Sequence, residues 1–312
     1  YQYLKKVIKN KGLDITPLKA VIEDMVDEEC VRNSSVRFGL VTVDVAEFEP
    51  KELFVEDIPK GKLHEYLLGS SHLPIFKTEE SDGEHLIDGM FFDNQPVRLM
   101  LTDPKIDTII LVDNKGFGFK HKVNLEGKTV IRITASGDVG STLNLTRSQS
   151  RKNLVMGYYD TLRVFKGYLG ERYCIEDFDE EKILMYLYNM PNEKITRAAE
   201  MLGIPAIVNK RQIFELLLPE VAKLLKLSSD ENYKTLFVKV IEEVAEELKI
   251  KRFKVYEFEE LLRSVRIHLD KDGQKIINDN QSFIDKLLKS GNIIIGNVRK
   301  ELLIEMMSAL LS

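Results

Sequence analysis

Tryptophan is absent from this 312-residue chain, and cysteine occurs only twice, at Cys30 and Cys174. Without tryptophan there is no Trp-based anchor for a lipid interface. Two lone cysteines form neither a metal-spaced pair nor a disulfide framework, and they fit a reducing cytosol. No uninterrupted apolar run approaches the roughly 18–20 residues that a membrane span needs. Neither sign of charge dominates: 45 Lys and Arg stand against 50 Asp and Glu, a net charge of −5. That balance gives no electrostatic support for broad nucleic-acid binding. The pentapeptide Gly-x-Ser-x-Gly, whose strained strand-to-helix turn exposes a nucleophilic serine, occurs nowhere in the sequence. The nearest string, Leu68-Gly69-Ser70-Ser71-His72, lacks the second glycine.

What is present has a globular composition, 44% hydrophobic and 30% charged. The length leaves room for one large or two ordinary domains. Thr16-Pro17 reads as a helix start, and Leu18, Val21, Ile22, Met25 and Val26 recur at helical spacing to about Glu29. Residues 36–45 alternate as a buried strand, 52–55 as a shorter one, and 60–68 as a helix. Residues 108–112 form an apolar strand and 129–134 another. This spacing predicts an α/β part with a mostly parallel sheet and helices on both faces. After about Leu143 the strand signal fades. Residues 148–167 read as a helix. Amphipathic segments follow at about 179–190, 193–202, 210–225, 231–248, 256–268, 279–289 and 298–311, which predicts an all-helical C-terminal region.

The stretch 86–97, Leu-Ile-Asp-Gly-Met-Phe-Phe-Asp-Asn-Gln-Pro-Val, carries the most chemistry. A strand end at 85–87 delivers the Asp88 carboxylate into a tight loop. Gly89 can take φ > 0 and let another backbone approach closely. Pro96 suits the start of a helix over 97–101. On the dipeptide alone, Asp-Gly reads as a turn. An Asp at such an exit is also placed to deprotonate a neighbouring hydroxyl.

The surroundings favour the second reading. Val36-Arg37-Phe38-Gly39-Leu40-Val41-Thr42-Val43, Leu53-Phe54-Val55-Glu56-Asp57-Ile58-Pro59 and Leu68-Gly69-Ser70-Ser71-His72-Leu73-Pro74-Ile75-Phe76 precede Asp88-Gly89 in that order. Together the four motifs resemble the C-terminal portion of the patatin-like phospholipase domain, over roughly residues 11–173. Gly69 stands where that family has a small Ala. The resemblance implies a Rossmann-like sheet of the patatin type, incomplete in this chain. It implies a Ser-Asp dyad without a catalytic His, with Asp88 as the Asp. It also implies a lipid or ester substrate, no cofactor, no metal, a cytoplasmic setting and peripheral membrane contact. The nucleophile and the glycine-rich oxyanion loop are expected in an upstream segment, a partner this chain would need for activity. Leu73, Pro74, Phe76, Met90 and Phe91 are the candidate walls of the acyl pocket, beside Gly89 of the motif. The expected division is 1–175 for the α/β portion and 176–312 for the helical domain. The alternative is a non-catalytic scaffold whose helical tail binds a partner or a membrane surface.

Other features carry less. Ile195–Ile204 followed by Lys210-Arg211-Gln212 has the look of a helix-turn-helix. Its flanking helices are acidic and lack a basic stripe, so a plain helical hairpin is expected. Glu242, Glu243, Glu246 and Glu247 read as a solvated acidic face, not a metal site. His72 and His85 flank Asp88, and a dyad needs neither. Ser136-Gly137-Asp138-Val139-Gly140-Ser141 contains glycine but follows Asp88 instead of preceding it. Lys115-Gly116-Phe117-Gly118-Phe119 lacks the full dinucleotide fingerprint and is read as a loop.

Overall fold

A computed structural model describes residues 12–47, 49–77, 85–141, 146–204, 209–228 and 231–269, with Leu303, Ile304 and Met307. The chain divides into two compact units. One runs to Thr134 and adds 139–145; the other takes 135–138 and everything from Thr146. This division falls earlier than the boundary expected at 175, because the helix after Thr146 belongs with the second unit.

In the first unit, α1 (Thr16–Met25) begins where expected. The Asp14 carboxylate accepts from the Thr16 N–H at 3.0 Å and the Thr16 hydroxyl at 2.7 Å, and Pro17 occupies the first turn. The helix stops four residues short of Glu29 and is followed by a separate short helix, α2 (Glu28–Arg32), capped by Asp27. From α2 the Arg32 guanidinium donates to the carbonyls of Val55, Ile58 and Pro59, tying the helix to the next turn.

Strand β1 (Gly39–Asp44) pairs antiparallel with β2 (Glu49–Phe54) from Gly39↔Phe54 to Asp44↔Glu49. Its other edge pairs antiparallel with β3 (Leu86–Asp88). Helix α3 (Leu63–Gly69) lies between β2 and β3 in sequence. It packs Leu63 and Tyr66 against Leu40, Val55, Ile58 and Leu86 in one apolar cluster. After α4 (Val97–Met100), strands β4 (Thr108–Asp113) and β5 (Thr129–Thr134) pair in parallel along their full length. Ile109 and Leu111 of β4 turn inward onto Val97. The alternate residues Ile110 and Val112 are 51% and 67% exposed.

The fold is mixed α/β, as expected, but its described strands are not mostly parallel. Only four residues separate β1 from β2. A parallel crossover needs a dozen or more residues, so that link is compelled to be a hairpin. Periodicity showed where the strands lie and not which partners they take.

The second unit is predominantly helical: α5 (Arg147–Lys166), α6 (Glu180–Asn189), α7 (Asn192–Met201), α8 (Leu218–Leu224), α9 (Tyr233–Glu247) and α10 (Phe258–His268). It is not all helix. β6 (Cys174–Ile175) pairs in parallel with β7 (Val255–Tyr256). Gly167 closes α5 at φ +68, and Gly203 turns the chain after α7 at φ +69. The segment expected over 210–225 opens with a π-turn, Ile213–Leu217, before α8. One continuous core joins Ile183, Leu187, Ile195, Ile213, Leu217, Ile241 and Leu261, and it takes in Leu303, Ile304 and Met307. The segment expected over 279–289 lies outside the described residues, as does most of 298–311.

Candidate functional site

Asp88 is the last residue of β3. Its place is fixed from three directions. Its N–H donates to the His72 carbonyl at 2.9 Å. It stands opposite Thr42 in the ladder with β1, and the Thr42 hydroxyl donates to the Ile87 carbonyl at 2.8 Å. Its own Oδ1 accepts from the Met90 N–H at 2.9 Å and so caps the tight turn Gly89–Phe91. Burial pushes the Asp88 carboxyl above the usual carboxylate range, and the Met90 N–H opposes that shift only in part. Among the described residues Oδ2 takes no hydrogen bond.

Gly89 is required here for space, not for its dihedral freedom. It is not among the residues with positive φ. A Cβ at this position would lie 2.4 Å from the Val41 carbonyl oxygen. The same carbonyl accepts from the Ser70 hydroxyl at 2.7 Å. Ser70 is therefore engaged in holding α3 to β1. Ser71 donates to the Leu67 carbonyl at 3.1 Å. Gly69 is nearly as tight, since its Cβ would sit 2.5 Å from the Leu86 Cβ. That distance accounts for glycine where a small residue was expected.

The structure gathers some of the proposed wall residues and not others. Met90 and Phe91 form the turn at Asp88 itself. Leu73 and Pro74 follow His72, whose carbonyl holds Asp88. Phe76 is bridged instead to Leu13, with the Leu13 N–H donating to the Ile75 carbonyl. The His72 ring meets the Phe76 ring edge-on at 5.8 Å. His85 contributes its carbonyl to Val45.

Asp93 closes the far side of the loop. It is 2% exposed, and Oδ1 accepts from the Gln95 N–H at 3.0 Å, the turn expected before Pro96. Asn94 continues outward: its N–H donates to the Phe119 carbonyl at 2.7 Å and its amide to the Phe117 carbonyl at 3.2 Å. Phe119 N–H returns a bond to the Met90 carbonyl at 3.0 Å. The loop after β4 is thus laced onto the Asp88 turn. Sequence reasoning passed over it because its glycines do not fit a dinucleotide pattern.

In the second unit, the expected acidic face is corrected. Glu242 and Glu243 are 1% and 3% exposed. Glu242 Oε1 accepts from the N–H groups of Glu171, Arg172 and Tyr173 at 2.8–2.9 Å. Burial pushes its carboxyl up against the pull of those three donors. Glu243 and Glu246 pair with the Arg172 guanidinium. Gly170, at φ +94, leaves the room that Glu242 fills. The signal lay in the sequence: Leu236, Phe237, Val238, Val240, Ile241, Val244 and Ala245 spread apolar residues around more than half of α9, the pattern of a central helix.

Ser136 and Gly137 are structural as well. The Ser136 N–H donates to Asp160 Oδ2 at 2.9 Å, and Arg252 donates to the Ser136 hydroxyl and carbonyl. Cys30 is exposed and Cys174 buried, both as free thiols. Among the described residues, no three His, Cys, Asp or Glu side chains converge as a metal site. No described helix is long and apolar enough to cross a membrane.

No protein-family model matches the chain, and no curated protein matches it.

Proposed function

We propose that this chain carries the base-bearing portion of a patatin-like serine acyl hydrolase acting on a lipid or other ester. The observation that supports this reading most is the state of Asp88. It is half-buried, has a raised pKa and is anchored through one carboxylate oxygen, with the other oxygen turned to no donor among the described residues. Those are the attributes of a general base awaiting a hydroxyl. The serine comes from a segment outside these 312 residues, placed within about 2.6–3.2 Å of Asp88 Oδ2. Asp88 takes the serine proton as Oγ attacks the ester carbonyl. The oxyanion is held by backbone N–H groups of the same outside segment. The incomplete Rossmann-like sheet of the patatin type belongs to this proposal, with β4 and β5 as its parallel portion.

The test begins with the coding sequence ahead of Tyr1. A Gly-x-Ser-x-Gly within about a hundred residues supports the proposal. The 312-residue chain alone should not hydrolyse a chromogenic short-chain ester above buffer, and the joined protein should. In the joined protein, Asp88→Asn should lower kcat by roughly a thousandfold or more with the fold intact. Full activity of that variant would sink the assignment, as would fluorophosphonate labelling of Ser70 or Ser71 in the bare chain.

A second reading, a non-catalytic interaction module, is favoured by α5. Its Leu154, Tyr158 and Phe165 are 73%, 62% and 54% exposed and border an open apolar groove along the helix. Hydrolysis by the joined protein would decide against it.

A further inference from the structure

The loop that follows β4, Lys115-Gly116-Phe117-Gly118-Phe119-Lys120-His121-Lys122, holds two phenylalanines in water at 74% and 64% exposure. Isolated exposed apolar residues are ordinary. This pair stands on a loop whose backbone is fastened on both sides of it. Glycine fills the inner positions. Gly118 sits at φ +146, and a Cβ there would lie 2.8 Å from the Asn94 Cβ. A Cβ on Gly116 would lie 2.9 Å from Asn114 Oδ1. The backbone at Gly118 therefore lies close against Asn94.

Five hydrogen bonds keep it there. Asn94 binds the carbonyls of Phe117 and Phe119, and the Phe119 N–H binds the Met90 carbonyl. At the base, the Lys115 and Gly116 N–H groups donate to the side chains of Asp113 and Asn114. Lys120 adds an ion pair to Asp113 at 2.9 Å. Beyond the tip, the His121 ring packs at a tilt against Phe92, with centroids 4.8 Å apart. These bonds fix the backbone from which the two exposed rings project.

Charge selects the occupant. Residues 114–125 contain Lys115, Lys120 and Lys122 and no Asp or Glu. Asp113 and Glu126 flank them, and Asp113 pairs with Lys120. That leaves Lys115 and Lys122 as the outward cations in a chain whose net charge is −5. A second copy of an acidic chain is matched less well by such a patch than an anionic lipid surface is. Two exposed aromatic rings with Lys115 and Lys122 near them in sequence also have the composition of an interfacial anchor, with rings at the acyl boundary and cations among the headgroups. The loop leaves the C-terminal end of a parallel strand, the rim where α/β sheets take their ligands.

We propose that residues 115–122 dock this protein on anionic membranes, inserting Phe117 and Phe119 while Lys115 and Lys122 meet the headgroups. The Asp88 turn, bonded to the loop through Met90 and Asn94, is thereby brought to the lipid surface. The proposal does not depend on the hydrolase reading.

The chain's lack of tryptophan supplies the probe. Phe117→Trp gives the full chain a single indole at the loop tip. With vesicles of phosphatidylcholine and phosphatidylserine its emission should shift to the blue, and brominated lipid should quench it. Neither change should occur with phosphatidylcholine alone. In co-sedimentation, the native chain should bind the mixed vesicles less as salt rises. The double variants Phe117→Ala/Phe119→Ala and Lys115→Glu/Lys122→Glu should each bind about tenfold less or weaker. An indole that stays unshifted on mixed vesicles overturns the proposal. So does a blue shift that grows with protein concentration in the absence of lipid, which would make the loop a contact between copies. If a double variant fails to fold, the indole measurement decides alone. No readout uses ester hydrolysis, so the outcome stands apart from the role of Asp88.

Discussion

Replacing Gly89 with alanine tests how the Asp88 carboxylate is held. The added Cβ would stand 2.4 Å from the Val41 carbonyl oxygen, 2.7 Å from its carbon and 2.9 Å from the Val41 Cβ. Ordinary carbon contacts begin at about 3.5 Å, so roughly 0.8 Å or more must be found. The two nearest atoms are backbone, and no rotamer change clears them. The end of β3 must therefore retreat from β1. Its ladder is only three pairs long, Asp44↔Leu86, Val43↔Ile87 and Thr42↔Asp88, so the strain falls on the catalytic candidate itself. Overpacking of this kind costs about 1–3 kcal/mol. For a unit of this size that lowers the melting midpoint by about 2–12 °C. In the joined, active protein, a displacement near 1 Å should cost on the order of a hundredfold in kcat. Gly157→Ala is the control. It lies within α5 with nothing inside 4 Å of the added methyl, so it should stabilise the helical unit by about 0.5–1 kcal/mol. Urea and thermal unfolding of the two variants should move in opposite directions. Unchanged midpoints and slopes for Gly89→Ala would refute the claim that Val41 fixes the position of Asp88.

Three further outcomes are expected. Because burial raises the Asp88 pKa, its stabilising contribution is complete below the ordinary Asp range and is lost as pH rises through the folded value. The stability of Asp88→Asn relative to the native chain should therefore rise with pH across that window, and a fall would reverse the sign assigned to burial. Glu242→Ala strands the N–H groups of Glu171, Arg172 and Tyr173, and should destabilise the helical unit by about 3–5 kcal/mol in urea unfolding; a loss below about 1 kcal/mol would show the cradle to be dispensable. In native protein a thiol reagent should modify Cys30 quickly and Cys174 only on unfolding, since burial excludes the reagent and pushes the Cys174 thiol up; equal rates would contradict its placement.

The elements of this fold were legible where one periodicity dominates. Residues 129–134 and the strand beginning at Thr108 are rich in β-branched residues, and the structure places β5 and β4 there. Asp88 was legible as a strand end because two apolar residues lead into an Asp-Gly step. Pairing was not legible, since alternation along β1 is the same whether its neighbours run parallel or antiparallel. Glu242 escaped because a charged residue on an apolar helix is ordinarily read as solvent-facing. Its donors come from backbone about seventy positions earlier, and backbone N–H groups leave no mark in sequence. The 115–122 loop was passed over because its glycines were tested against a dinucleotide pattern, whereas Gly118 serves a close approach to Asn94 and Gly116 one to Asn114.

The outward face of β4 bears on how the chain behaves in concentrated solution. Thr108-Ile109-Ile110-Leu111-Val112 is an uncharged run rich in β-branched residues, of the kind that is prone to aggregate. Ile110 and Val112 already stand in solvent, and among the described residues only β5 pairs with this strand. Asp107 and Asp113 close the run at both ends, as gatekeepers that make stacked copies repel. Lys120, bonded to Asp113, holds that carboxyl below its usual range and keeps the charge in place as solution turns acid. Asp113, at the end of this run, thus keeps its charge to a lower pH than an ordinary carboxylate does.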